Sequence, residues 1–150
     1  MSVFQIVYIS FSTPSFDQHG ETACMDILTT ARKFNSENNI TGMLLYKAGV
    51  FLQLLEGDKK DVLSLFGRIA TDPRHESIST LLTQVSNERI FEHWSMGYGE
   101  LDGNLAIDLI NSAIPWNSLC GERSEKKIVP KEDVLELFYT FRYKLGKEAS

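Results

Sequence analysis

A chain of 150 residues with 43% hydrophobic content is long enough for one domain with a sizeable core and a small appendage, and leaves little room for a second independent domain. Its 15 Lys and Arg are interspersed among 20 Asp and Glu for a formal charge of -5, so no basic stripe exists to draw a phosphate backbone and direct nucleic-acid binding is not expected. Cys24 and Cys120 form neither a close-spaced zinc pair nor a disulfide framework and read as reduced thiols.

The opening Met1-Ser2-Val3-Phe4-Gln5 has no basic n-region, and Gln5, Ser10 and Ser12 interrupt its apolar residues. It reads as neither signal peptide nor membrane span, and a cytoplasmic location is expected. Residues 3–10 alternate, with Phe4, Ile6, Tyr8 and Ser10 on one face and Val3, Gln5, Val7 and Ile9 on the other; this is a first strand, covered on both faces. From about Thr22 the period becomes helical through Cys24, Ile27, Leu28, Ala31, Phe34 and Asn35, with Asn38-Asn39 as a left-handed exit.

Two apolar runs follow, Gly42–Tyr46 and Val50–Leu55, joined by Lys47-Ala48-Gly49 as a hairpin whose turn uses the positive φ of Gly49. Gln53 falls on the Phe51/Leu55 side. Asp58 caps a second helix whose stripe is Val62, Leu65, Phe66 and Ile69, stopped by Pro73, with Arg68 and Asp72 one turn apart along its edge. Ile78–Val85 and His93–Tyr98 read as further strands, the latter placing Trp94, Met96 and Tyr98 on one side.

The order β-α-β-β-α-β-β implies an α+β fold of ferredoxin-like type: a mixed sheet with both helices on one face and the first and third strands as parallel central neighbours. Tyr8 and Gln53 would then come from adjacent strands. Beyond residue 98 the chain changes character. Leu105, Ile107, Leu109 and Ile110 suggest one helix, and Val134, Leu135, Phe138, Phe141 and Leu145 a longer one, across a connection from Pro115 to Pro130. This tail is expected to cap the sheet's other face, so the chain divides into a domain over 1–98 and a helical extension over 99–150.

Several residues ask for more than packing. Asn35 lies on an apolar helix face, where an amide needs partners: a helix-end cap reaching a loop, or a ligand. Gln53, between Leu52 and Leu54 on a central strand, raises the same question. Tyr8 by itself is an ordinary half-buried tyrosine, but a phenol beside an amide makes a pair whose hydrogen bonds can reverse direction. Arg68, Asp72, Arg74 and His75 supply donors enough for a polar heterocycle edge or a pyrophosphate, or else form a solvated Arg68–Asp72 pair with two free neighbours. His19, His75 and His93 share no ligand spacing, so no metal site is expected, and no G-x-S-x-G, P-loop or G-x-G-x-x-G occurs.

Taken together, five segments closely resemble the BLUF (blue light using flavin) domains. They are Ile6-Val7-Tyr8-Ile9-Ser10; Asn35 followed by Asn39-Ile40-Thr41-Gly42-Met43-Leu44; Phe51-Leu52-Gln53-Leu54-Leu55-Glu56-Gly57; Asp72-Pro73-Arg74-His75; and Phe91-Glu92-His93-Trp94-Ser95-Met96. The resemblance covers residues 2–98, and the tail weakly resembles the two-helix extension of short, single-domain members.

What it implies is an FAD, with FMN or riboflavin as alternatives, whose ring lies between the two helices. Asn35 would pair with the ring's amide edge, Arg68, Asp72, Arg74 and His75 would take the C2 side and the tail, and Ile27, Ala31 and Ile69 would pack around the ring. Tyr8 would donate an electron to the excited flavin, Gln53 would rearrange its hydrogen bonds, and Trp94 and Met96 would relay the change. Phe34, where several members carry a second polar residue, and Asn39, in place of a common glycine, depart from the pattern.

The expectation is therefore a non-enzymatic blue-light receptor without a fused effector, acting through an unknown effector protein or its own homo-oligomerisation, with the tail aromatics Phe138, Tyr139, Phe141 and Tyr143 as the surface. No membrane or nucleic-acid partner is expected. The alternatives are a small flavin-dependent oxidoreductase and a flavin-free ferredoxin-like interaction module.

Overall fold

The first strand, β1 (Val3–Ser12), is buried along nearly all its length because its two alternating apolar sets meet covering layers on both sides. The computed structural model describes residues 2–47, 49–93, 95–100, 134–136 and 138–139, and for residues 15–24 and 100 the backbone alone. After β1 come α1 (Pro14–Glu37), β2 (Thr41–Lys47), β3 (Val50–Gly57), α2 (Lys59–Ala70), β4 (His75–Ser86) and β5 (Gly97–Glu100). The five strands form one sheet in the order β4-β1-β3-β2-β5. The expected ferredoxin-like α+β element order is present.

One expectation about that sheet is corrected. β1 and β3 are antiparallel neighbours, not parallel ones. The helical crossover through α1 returns the chain parallel to β1, the hairpin then reverses it, and β3 inserts between β1 and β2, so it must run against both. The sheet is mixed because β5 joins the outer edge of β2 in parallel. Adjacency survives the change of direction: Tyr8 is directly opposite Gln53.

Boundaries also move. α1 begins at Pro14, well before Thr22, with Thr13 in extended conformation as its N-cap and the fixed φ of Pro14 suited to the first turn. β4 starts at His75, earlier than Ile78. The expected strand His93–Tyr98 is displaced to Gly97–Glu100, because the carbonyls of Ser95 and Met96 are taken by side chains of α1 and not by a strand ladder.

Turn chemistry explains the rest. Gly49 has φ +85 in the β2–β3 turn, and Asn39 has φ +54 at the exit from α1, the left-handed step its side chain tolerates better than most. Asp58 caps α2 by accepting from the Lys60 amide at 3.0 Å. Gly42 is required by close approach, since a Cβ there would lie 2.1 Å from the Leu54 carbonyl oxygen.

The sheet divides two cores. On one face, Ile6, Tyr8, Leu44, Phe51 and Leu55 pack with Leu28 of α1 and with Val62 and Leu65 of α2. On the other, Val7, Ile9, Met43, Leu45, Leu52 and Leu54 pack with Ile90, Phe91 and two residues of the C-terminal helix, Val134 and Phe138. Of the expected tail cap, Val134 and Phe138 are the described residues that join this core. The helix anticipated around Leu105–Ile110, the Pro115–Pro130 connection, Phe141, Tyr143, Leu145, Trp94, Cys120 and the side chains of Cys24 and His19 lie outside the described residues.

Candidate functional site

Helix-face residues of a central strand normally meet helix side chains directly. Here a cavity of about 300 Å³, lined by both α1 and α2, lies over the middle of the sheet. Its floor is Tyr8, Leu44, Phe51 and Gln53, its walls are Ile27, Ala31 and Asn35 from α1 and Leu65, Arg68 and Ile69 from α2, and its rim is Asp72, Arg74, His75 and Met96. All ten residues expected to contact a cofactor line it, although they come from four separate segments. Thr30, Phe34, Leu44, Phe51 and Leu65 line it as well; Phe34 and Leu65 belonged to helix stripes already read as apolar, so nothing set them apart from core.

The floor carries the polar pair. The Tyr8 hydroxyl donates to Gln53 Oε1, and the Gln53 amide nitrogen is directed at Met96 Sδ, 3.3 Å away. A thioether is a weak acceptor, so the amide's donor end is only lightly held. Both side chains are almost fully buried. Burial among apolar groups, reinforced by the Asp72 carboxylate, raises the Tyr8 phenol well above its usual 10.0, which keeps it a neutral hydrogen-bond donor. The Phe66 ring meets the Tyr8 ring edge-on with centroids 5.2 Å apart and restricts its tilt.

Asn35 faces the pair from α1. Its Nδ2 donates to the Ser95 carbonyl at 2.6 Å, so the cap reading is met for one end of the amide. Its Oδ1 is buried with no partner among the described residues. Leaving such an atom unsatisfied costs about 1–3 kcal/mol unless something arrives to donate to it. Arg32, one turn earlier, donates from Nε to the Met96 carbonyl at 3.0 Å. Sequence reasoning missed Arg32, whose only signal was its position three residues before Asn35.

At the rim, Asp72 does not pair with Arg68. Its carboxylate accepts from the Arg74 side chain at 2.9 Å and from the Arg74 amide at 2.9 Å. Those hydrogen bonds hold the Asp72 carboxyl below its usual 3.8 despite partial burial and correspondingly raise the Arg74 guanidinium. Arg68 instead lies over the Phe34 ring, 4.7 Å from its centroid. His75 bridges Ser10 Oγ at 2.8 Å and the Ile69 carbonyl at 2.6 Å. Because a carbonyl can only accept, Nε2 carries a proton, which fixes the ring between β1 and the end of α2.

These features define a ferredoxin-like α+β protein with a small-molecule pocket on its helix face, suited to a flat ring with an amide edge. The orphaned Asn35 Oδ1 fits the N–H of such an edge, and the apolar walls of Ile27, Ala31 and Ile69 fit its faces.

A family profile described as sensors of blue-light using FAD, BLUF, matches residues 3–97. The chain is 36% identical over 92 residues to a photoactivated adenylate cyclase subunit beta of Euglena gracilis, which covers 61% of this chain and 10% of that protein. It is 35% identical over 116 residues to the blue light- and temperature-regulated antirepressor BluF of Escherichia coli, covering 77% of this chain and 28% of that protein. It thus spans a tenth to a little over a quarter of these relatives. Among solved structures, BlsA in its photo-activated state is similar over 94% of each chain, at 30% identity and a TM-score of 0.71. The chain belongs to the BLUF family of blue-light sensors. Among the described residues no helix is long and apolar enough to cross a membrane.

Proposed function

We propose that this protein is a blue-light receptor that binds FAD non-covalently in the cavity over β1 and β3 and signals without net chemistry. The observation that carries the reading is the pairing of an orphaned buried acceptor, Asn35 Oδ1, with a buried phenol–amide pair lining the same cavity. Asn35 would hold the ring's amide edge, while Ile27, Ala31 and Ile69 would pack on it. Asp72, Arg74, His75 and Arg68 would stand toward the C2 side and the tail. FMN or riboflavin would satisfy the same ring contacts.

A bound flavin supplies blue absorption and, when excited, an acceptor for an electron. Tyr8, held neutral by burial, is the donor, and its hydroxyl proton has Gln53 Oε1 as its acceptor. Once that hydrogen bond is disturbed, the Gln53 amide can turn over or tautomerise, exchanging its donor and acceptor ends. The group facing its other end is Met96, so the change reaches the chain between β4 and β5. Such a local change matters when it biases a two-state element elsewhere.

We further propose that residues 1–98 act as the sensor and 99–150 as an output extension on the opposite sheet face. Output would pass to an effector protein or to self-assembly, in a cytoplasmic setting and without enzymatic turnover by this chain. The relatives named above couple light to a cyclase and to antirepression.

The test is the visible absorption spectrum of purified protein in the dark and directly after blue illumination. An oxidised-flavin spectrum that moves slightly to the red and relaxes in the dark is the expected result. Flavin reduction by NAD(P)H with turnover would favour an oxidoreductase, and protein that stays colourless when mixed with FAD would favour an interaction module.

A further inference from the structure

Glu56 lies on β3 three residues beyond Gln53 but points to the other face of the sheet, where it is fully buried. Its carboxylate accepts from four groups: Gln5 Nε2 at 2.7 Å, Thr41 Oγ1 at 3.3 Å, and the backbone amides of Ile90 at 2.6 Å and Phe91 at 3.0 Å. Gln5 is itself oriented by Gln84 of β4. Arg89 closes the cluster, donating to Thr41 Oγ1 at 2.9 Å, the Glu56 carbonyl at 3.2 Å and the Asn39 carbonyl at 2.7 Å.

A buried carboxylate is costly unless its oxygens are saturated, and here the donors come from three parts of the fold: β1, β2 and the connection between β4 and β5. Two of the four are the Ile90 and Phe91 backbone amides, in the first half of the connection between β4 and β5. The far end of that connection is held on the cavity side, where Asn35 takes the Ser95 carbonyl, Arg32 the Met96 carbonyl and Gln53 the Met96 sulfur. At the pinned end, Phe91 meets Phe138 of the C-terminal helix edge-on, with ring centroids 6.4 Å apart. One end of the connection therefore answers to Gln53, the other is pinned by Glu56, and the pinned end carries the ring that touches the tail.

We infer that Glu56, supported by Arg89, is a positioning residue that anchors Ile90–Phe91 to β3, so that a rearrangement at Gln53 and Met96 is passed to Phe138 and not absorbed by slack in the connection. This rests on the sensor reading above. A glutamine at this position would offer a single acceptor and set its own NH2 against N–H donors, so it should release the anchor while leaving the cavity intact.

The experiment is amide hydrogen exchange on the flavin-bound full chain, in the dark and under continuous blue light, with absorption spectra taken on the same samples. Wild type is expected to show the red shift and a light-dependent change in exchange at residues 134–139. Glu56→Gln should keep the red shift, quicken dark exchange of the Ile90 and Phe91 amides by about tenfold or more, the loss expected for a charge-assisted hydrogen bond, and lose most of the light response at 134–139. Arg89→Ala, at a partly exposed site, should act in the same direction more weakly and carries the test if the first variant does not fold.

A variant with loosened Ile90 and Phe91 amides that keeps the full response at 134–139 would overturn the inference. So would a wild type that shifts but shows no response there, or an Arg89→Ala protein that loses the red shift itself. A wild type with no red shift would overturn the sensor reading instead, while the dark exchange of Ile90 and Phe91 would still report whether Glu56 is their anchor.

Discussion

At Tyr8 the hydroxyl proton goes to one acceptor, Gln53 Oε1, and removal of either partner removes the reversible pair without opening the cavity walls. Tyr8→Phe and Gln53→Ala are therefore expected to retain flavin and lose the light-induced red shift; a full shift in either would refute the assignment. Asn35→Ala removes the acceptor proposed for the ring edge together with the tie to Ser95. It should weaken flavin binding by about 1–3 kcal/mol, read by titration against the dark spectrum. Asp72 bears on acid stability. Its folded pKa lies below the usual 3.8, so its contribution is fully present above that value and is lost as pH falls through the lower folded one. Asp72→Asn should accordingly show a smaller fall in Tm than wild type on acidification from about pH 5 to about pH 3, compared by thermal melts. The residue scale was also where the sequence spoke most clearly. Asn35, Gln53 and Tyr8 stood out because polar groups sat on apolar faces, and the family resemblance gave them a shared ligand. Arg32 and Glu56 did not stand out, because a charged residue beside a helix stripe or near a strand end has a solvated reading by default, and only the fold shows what each one touches.

Among elements, the hairpin of β2 and β3 is the most constrained, since it supplies Gln53 and Glu56 to opposite faces of one strand. Its pairing brings Gly42 against Leu54 so closely that a methyl group has no room. Gly42→Ala is expected to destabilise the protein by about 2–4 kcal/mol, measured by urea unfolding, with flavin loss following unfolding. Period-two alternation located β1, the two apolar runs on either side of the Gly49 turn located β2 and β3, each to within a residue or two, and the apolar stripe with its Asp58 cap located α2. The first turns of α1 escaped because Ser15, Asp17, Gln18 and Gly20 carry no apolar period, although Thr13-Pro14 is a recognised helix start. The last strand was misplaced for a different reason. Residues before Gly97 alternate as a strand would, but their backbone acceptors are claimed by Asn35 and Arg32, a tertiary competition that no local pattern records. The direction of β1 against β3 was likewise a matter of topology, not of either strand's own residues.

For the molecule as a whole, a sheet apolar on both faces must be covered on both. α1 and α2 cover one face and leave the cavity; Val134 and Phe138 belong to the cover of the other, packed against Val7, Ile9, Leu52 and Leu54. Phe138 has no exposed surface, whereas the adjacent Tyr139 is 44% exposed, so the same helix turn that seals the core presents an aromatic ring outward. Truncating the buried ring should cost the stability of a large core side chain without touching the cavity. Phe138→Ala is thus expected to lower unfolding free energy by about 3–5 kcal/mol while the dark spectrum and the red shift persist. Deleting residues 100–150 goes further, because it uncovers a contiguous apolar face, and it should yield protein that self-associates or precipitates in sedimentation or light scattering. A truncated chain that stays dispersed, with assembly and partner binding unchanged, would show that the extension neither completes the core nor transmits the signal. The point mutant separates these two roles. If Phe138→Ala melts earlier yet still couples light to assembly, the tail serves stability alone; if coupling is lost while the red shift remains, the path from Gln53 to the far face of the sheet runs through that ring.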